Sequence, residues 1–595
     1  MRFRFLEDQE VTLFAAIPVG LLAGIVTTLF KDALEASGLV MFGKDADIVL
    51  IFAGLALAWR VVIPVVGGAL AGALLVAARH YARNETLPSE YMEAVARGTG
   101  RLPVRITLLR ALSSFCSIVS GSSVGKEGAM IQLAALAGSI FPSGRADQAT
   151  GDSNMRRMLT ACGAAAGLAT AYHTPLSAAV FVAEVVFGAL AVQRLMPLLL
   201  ASVAGTMVSQ WHGGLEPLYT GLHIGPDLLQ QPHLLLAAAG IGLIAGVSGA
   251  VFMRANTLAR NGFRHVPGGP VARLALGGLL VGLLAIVVPE VVGNGYYTIQ
   301  TILRNEPLSV AVWGVLLAKL LATVVSMGSG AVGGVFTPSM FVGAALGQLV
   351  ALGIPGGTST PVLPLVGMTA FLSATSQAPL MSILMVFEMT LAPTLLLPLM
   401  IGAVAAYYTA SRCQTLSLYS VVVERAQASA AAERARGLRL AGLCDPTSTV
   451  IDPAATVAQA ADKFAETGTR YLYLVNGAGT LLGAISIHAV QRAQREAPDA
   501  TLLSLGDLAF PSLTPDSRLR DALAIFSEHG INRIPLVRDA ASRELMGTVS
   551  KQRVLQEAPA CSEAATPQVP GVRFPRPRRK RVKSGVTLPA RWLQA

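Results

Sequence analysis

The residues of this 595-residue chain best placed to do chemistry are glycines and glutamates rather than the usual nucleophiles. Gly121-Ser-Ser-Val-Gly125-Lys-Glu-Gly128 opens one apolar stretch, and Gly328-Ser-Gly-Ala-Val-Gly333-Gly-Val-Phe-Thr-Pro338 opens another. A glycine-rich turn entering a helix leaves several backbone N–H groups unpaired. Together with the helix dipole, those donors hold an anion without any fixed positive charge. That suits permeation, because a full counter-charge in a low dielectric holds an anion too tightly to release it. The glycines let the backbone approach an ion closely. Close helix packing also favours small residues, but the occurrence of two such loops favours function.

Glu127 is the sharpest single residue. It stands at the start of an apolar helix within Gly125-Lys126-Glu127-Gly128, where a carboxylate resembles a small anion. Ionised, it would fill the anion site itself; protonated or swung aside, it would leave the site open. That describes a gate sensitive to pH and to anion concentration. The competing role is an ordinary carboxylate at a helix N-terminus, although an ionisable residue in a membrane segment is a functional candidate by default. Lys126 either supplies positive potential at the entrance or snorkels to the interface.

A second repeat is interleaved with the loops. Pro175 precedes Glu184 by nine residues within TPLSAAVFVAEVVF, and Pro379 precedes Glu388 by nine within APLMSILMVFEMTL. Gly125 lies 50 residues before Pro175, and Gly333 lies 46 before Pro379. Transport folds are commonly built from two such halves with the substrate held between them. Glu184 and Glu388 need polar partners or protonation inside apolar helices, which leaves two roles open: tying helices together, or transport.

The elements that must position these residues follow from composition. Hydrophobic residues make up 53% and charged residues 14%, with a mean hydropathy of +0.57, whereas soluble globular chains carry about 25% charged residues. Apolar runs such as Val11 to Phe30, Val61 to Ala78, Leu234 to Phe252, Val271 to Val288 and Pro393 to Thr409 approach the roughly 20 residues that a spanning helix needs. Ten or more such runs are expected, making an all-α multi-pass membrane protein. The first is expected to be retained rather than cleaved, since the flank Arg2-Phe-Arg4-Phe-Leu-Glu7-Asp8 is mixed in charge.

Five cysteines without CxxC spacing indicate neither a disulfide framework nor a zinc site. No nucleophile–base set, phosphate-binding GxxxxGK[ST] loop or metal-spaced histidine cluster is present, so no enzyme, cofactor or metal is expected. The net charge of +11 is concentrated in connections and in the tail Arg573 to Lys583. A cytoplasmic flank drawn to anionic lipid suits that tail better than a nucleic-acid partner.

Four segments are expected: an anion-pore domain over residues 1–425, a polar linker helix over 426–439, a soluble α/β part over 440–557, and a basic, disordered tail over 558–595. The soluble part contains two similar units, Val450 to Ser486 and Leu513 to Ser550.

GSSVGKEG (121–128), GGVFTP (333–338) and SLYS (417–420), in this order and interleaved with the two PL-x7-E repeats, resemble signature regions of the CLC chloride channels and transporters. The likeness spans residues 1–425. It is nearest in flavour to the bacterial branch known as voltage-gated CLC channels, which carries similar GREGAMI and YMEA stretches. The paired C-terminal units resemble tandem CBS domains. The resemblance implies an inverted-repeat helical fold with a cytoplasmic CBS pair, and a homodimer with one pore per subunit. It also implies residence in a bacterial inner membrane with both termini cytoplasmic. Glu127 would be the gate. Backbone amides at Gly125, Lys126, Gly128, Val335 and Phe336 would line the anion sites, and Tyr419 would offer its hydroxyl to a central anion.

Departures from the family pattern bear on mechanism. Asn84-Glu85-Thr86-Leu87-Pro88 stands where the family has a GSGIP turn, so a glutamate replaces the anion-contacting serine and Thr86 is the nearest hydroxyl. Ala129 replaces a helix-starting proline, which is tolerable. Val185 occupies the position of the inner proton-relay glutamate and cannot carry a proton, which favours passive conduction. Ala489 and Arg553 stand where a CBS pair places the aspartate that binds ribose, which favours a contact or stability role over adenine-nucleotide binding. The expected function is a passive, Glu127-gated chloride channel, with a chloride/proton antiporter as the nearest alternative. A ligand sensor with a membrane relay is the third reading. Nitrate, bromide or fluoride would also fit a site built from amides.

Overall fold

The computed structural model describes residues 2–43, 46–82, 88, 90–96, 98–141, 154–188, 190–213, 218–219, 222, 232–354, 361–413, 440–446, 449–498, 500–517 and 519–557. The chain divides into two compact units between residues 424 and 425.

Among the described residues, the regular elements of the first unit are helices. In chain order its helices are α1 (Arg2–Phe42), α2 (Ile48–Ala53), α3 (Leu57–Ala82), α4 (Tyr91–Ala96), α5 (Val104–Val119) and α6 (Glu127–Ile140). Then come α7 (Asn154–Tyr172), α8 (Pro175–Phe181, continued by a π-helical turn Val182–Val186), α9 (Val192–Gly213), α10 (Pro232–Arg264), α11 (Gly269–Val287) and α12 (Tyr296–Leu303). The unit closes with α13 (Val312–Ser329), α14 (Phe336–Leu352), α15 (Val362–Ser376), α16 (Pro379–Thr390) and α17 (Leu396–Cys413).

Among the described residues, seven helices are long and apolar enough to cross a bilayer, fewer than the ten or more expected. Five further apolar helices, including α6, α14 and α16, are only 10–17 residues long. They are short because glycine- and proline-bearing loops interrupt the apolar runs and start new helices partway along. Trp211, Leu236 and Leu258 are among many large apolar side chains on the outside, the surface a lipid solvent requires.

Small residues let these helices pack backbone to backbone. A Cβ at Gly343 of α14 would collide with the Gly367 carbonyl of α15, and a Cβ at Gly367 with the Gly343 carbonyl. That interface brings α14 against α15 and fixes where the α14 N-terminus begins.

The second unit holds two βα repeats. In the first, β1 (Val450–Ile451) pairs in parallel with β2 (Tyr471–Val475), which pairs antiparallel with β3 (Leu481–Ser486). Helices α18 (Val457–Thr467) and α19 (Ile487–Glu496) complete it, and the short helix α20 (Leu502–Leu505) leads on. In the second, α21 (Leu519–His529) precedes β4 (Arg533–Val537) and β5 (Leu545–Ser550), which are antiparallel, and α22 (Lys551–Glu557) follows. Thr456 and Gln459 close a capping box at the start of α18. Tyr473 of the first repeat shares a buried core with Phe526 and Ile534 of the second, so the repeats fold as a pair. The expected linker at 426–439 and tail at 558–595 lie outside the described residues.

Candidate functional site

The two glycine-rich loops come together. The first leaves α5 at Ser120 and enters α6 at Glu127; the second leaves α13 through Gly330, whose φ of +101° suits only glycine well, and enters α14 at Phe336. Gly125 N–H donates to the Gly334 carbonyl at 2.8 Å, and Gly334 N–H donates back to the Gly125 carbonyl at 2.8 Å. This reciprocal bridge sets the N-termini of α6 and α14 side by side. A Cβ on Gly128 would lie 2.7 Å from the Gly333 carbonyl carbon, and one on Gly334 would run into the Glu127 carboxylate. Only glycine allows that approach.

Besides its own backbone N–H, Glu127 serves the opposite helix. Its carboxylate reaches across to α14: Oε1 accepts from Phe336 N–H at 2.7 Å and Thr337 N–H at 3.3 Å, and Oε2 accepts from the Thr337 hydroxyl at 3.4 Å. The residue is 1% exposed. An intramolecular anion therefore sits on the first amides of a helix, where donors and dipole both favour negative charge. The Phe336 ring packs edge-on against Phe181 of α8, with ring centroids 5.2 Å apart.

The remaining expected site residues divide into two groups. Gly125, Gly128, Val335 and Phe336 all lie at this junction, with buried Val335 as the residue immediately before α14. Lys126 is half-buried beside Glu127, and Lys31, Glu35 and Asp47 are its other charged neighbours. Tyr419 lies outside the described residues, as do Glu85 and Thr86. Ala129 is buried in the first turn of α6.

Three residues at or near the junction escaped sequence reasoning. Tyr172, the last residue of α7, brings its hydroxyl to 2.7 Å from the Thr337 hydroxyl. Thr337 was hidden inside a motif read only for its backbone. Lys319 is fully buried in α13, and its amino group donates to the carbonyls of Val291 at 3.0 Å and Gly293 at 2.9 Å. A lone lysine in an apolar helix was the available signal. Thr323 and Ser326 continue the same face of α13: their hydroxyls meet Ser123 Oγ and Ser123 N–H, each at 3.1 Å. One helix thus holds the first loop and delivers the chain into the second.

The PL-x7-E repeats meet as well. Glu388 of α16 accepts from Leu176 N–H at 2.9 Å and Ser177 N–H at 2.7 Å, at the start of α8. Glu184 accepts from Met381 N–H at 3.0 Å and also bonds the Leu380 amide, at the start of α16. Each acid caps the other half's helix, so the tying role is the one the geometry displays. Glu184 and half-buried Val185 lie in the π-helical turn.

In the second unit Ala489 and Arg553 occupy matching places, each donating its N–H to the serine three residues before, Ser486 or Ser550. The Arg553 guanidinium pairs with Asp445.

Comparison with known proteins adds family context. Residues 67–411 match the voltage gated chloride channel family, and residues 442–496 and 505–559 match the CBS domain. A putative chloride channel protein ClcB-like of Ralstonia nicotianae is 41% identical over 414 residues, covering 68% of this chain and 95% of the relative. The voltage-gated ClC-type chloride channel ClcB of Citrobacter koseri is 37% identical, covering 68% and 97%. Among solved structures, a slow cyanobacterial Cl-/H+ antiporter superposes with a TM-score of 0.57 at 25% identity, covering 70% of this chain and 97% of that one. A eukaryotic CLC transporter superposes with a TM-score of 0.55 at 18% identity, covering 92% and 98%, a likeness of fold alone.

Proposed function

The chain belongs to the voltage-gated chloride channel (CLC) family of multi-pass membrane transport proteins, and we propose that it conducts chloride passively through a pore gated by Glu127. One observation carries this reading: a carboxylate occupies amides at a helix N-terminus contributed by the other half of the repeat, as a permeating anion would. Displacing or protonating Glu127 frees those donors. Backbone amides bind without a fixed charge, so the ion leaves as readily as it arrives. Gly125, Lys126, Gly128, Val335 and Phe336 line the path in this reading, and Tyr419 is assigned to a more central position by family resemblance.

Passive conduction is favoured because Val185 offers no proton-carrying group, and because the relatives of higher identity are named as channels. The antiporter reading draws on a solved neighbour described as a Cl-/H+ antiporter, and on Glu184 lying next to Val185. The working unit in our reading is a homodimer with one pore per subunit. It sits in a bacterial inner membrane with both termini cytoplasmic. Its parts are a pore over 1–425, a linker over 426–439, a CBS pair over 440–557 and a tail over 558–595. Because Arg553 is engaged with Asp445, the CBS pair acts through contacts and stability rather than nucleotide binding.

The test is anion efflux from proteoliposomes with proton movement recorded in the same vesicles. Chloride efflux without coupled proton uptake, altered by Glu127→Gln, is the expected result. Proton pumping driven by a chloride gradient overturns the channel reading in favour of exchange. No flux of any anion overturns both and leaves the sensor reading.

A further inference from the structure

Two buried hydroxyls stand in line beside the Glu127 carboxylate. Tyr172 is 3% exposed and Thr337 is 1% exposed. A carboxylate can only accept hydrogen bonds. The Thr337 hydroxyl therefore donates toward Oε2, and its oxygen is left to accept from the Tyr172 hydroxyl at 2.7 Å. In that order both O–H dipoles point at the same negative charge, and each polarises the next. Tyr172 also lies within hydrogen-bonding reach of Glu127 itself.

When the carboxylate leaves, these hydroxyls and the amides of Phe336 and Thr337 still converge on the vacated place. Buried donors that lose this acceptor are costly to leave unmet, so the place calls for another anion. The Thr337 donors lie on the long side for oxygen, the N–H 3.3 Å from Oε1 and the hydroxyl 3.4 Å from Oε2, while Phe336 N–H is 2.7 Å from Oε1. The carboxylate meets this spread with two oxygens. A single ion must be wide to meet the Phe336 and Thr337 donors together, so a larger halide engages more of the set than a small anion.

We infer that Thr337 is a side-chain ligand for the anion that takes the place of Glu127, and that Tyr172 positions its hydroxyl. Together they favour chloride-sized over fluoride-sized ions. This rests on the gate reading above and assigns the selectivity of the same site.

The experiment uses the full-length protein in two backgrounds, native and Glu127→Ala, each with Thr337→Val, Thr337→Ser or Tyr172→Phe. Chloride binding is measured by calorimetry, and chloride-to-fluoride flux ratios are measured in proteoliposomes. In the Glu127→Ala background, Thr337→Val is expected to weaken chloride binding by about three- to tenfold and to narrow the preference over fluoride. Thr337→Ser, which keeps the hydroxyl, retains both, and Tyr172→Phe has a smaller effect in the same direction. The valine–serine contrast separates a ligand from a merely structural threonine, since both lose or alter packing but only one loses the donor. Equal binding and selectivity in the valine and serine variants overturn the inference. If Glu127→Ala leaves flux unchanged, the gate reading falls instead, and the valine–serine contrast in the native background still decides the ligand claim.

Discussion

The molecule contains two places where one half of the membrane unit reaches the other with a carboxylate, and they are built differently. Between α8 and α16 the exchange is mutual: Glu184 caps one helix and Glu388 caps the other. Between α6 and α14 it runs one way. Glu127 reaches α14, and the second loop carries Val335, Phe336 and Thr337 where a partner acid would stand. Reciprocal caps lock, because releasing either acid strands two amides at the start of the opposite helix. A one-sided acid can leave whenever another anion takes its donors. In the reading proposed above, the contrast separates a fastening from a gate, although both are glutamates on helix N-termini.

Removing the one-sided acid should have the largest effect on transport. Three bonds from α14 hold Glu127 in place; a bond to a charged group is worth about 1.5–3 kcal/mol, and tenfold in a rate or population corresponds to about 1.4 kcal/mol. Glu127→Ala should therefore raise chloride flux by about tenfold or more. Acidification of wild-type vesicles should move flux in the same direction, because a protonated Glu127 no longer mimics an anion. An unchanged flux in the variant would erase the distinction drawn here.

The mutual caps should respond in the opposite manner. Glu388→Ala or Glu184→Ala strands two amides and should cost about 1–3 kcal/mol of stability, read as a lower thermal midpoint in detergent. Flux per folded protein should change little. A large flux change at preserved stability would assign these acids to transport. Lys319→Met should cost a similar amount, since two carbonyls lose their donor, and Lys319→Arg should recover part of it. The smallest effect is expected in the second unit. Arg553→Ala removes a partly exposed ion pair worth at most about 1 kcal/mol, measurable by chemical denaturation and without consequence for the anion site.

Sequence reading found the loops because glycines ahead of an apolar helix have a direct chemical meaning, and it found Glu127 because a carboxylate is conspicuous there. It also paired Glu184 with Glu388 through their common spacing. It did not reveal that Glu127 serves the helix of the opposite half, because that depends on a contact between residues 209 apart. Tyr172 and Thr337 were hidden for the same reason: each is ordinary in its own segment, and only packing makes them neighbours. Lys319 is visible as an oddity, but its acceptors are backbone carbonyls of a distant turn. The excess of expected spanning helices arose because hydropathy registers apolar length and misses interruptions by a few glycines and prolines.

The Gly125–Gly334 bridge restricts how the pore can work. Transporters that rock one repeat against the other need the halves to slide, and here sliding would break two backbone bonds beside the proposed anion site. The moving part is then as small as one side chain. Turning one side chain needs no collective domain motion, which takes microseconds to milliseconds. On the gate reading, single-protein current should be governed by how quickly ions compete with the buried Glu127 carboxylate for its donors, not by how quickly the scaffold turns over.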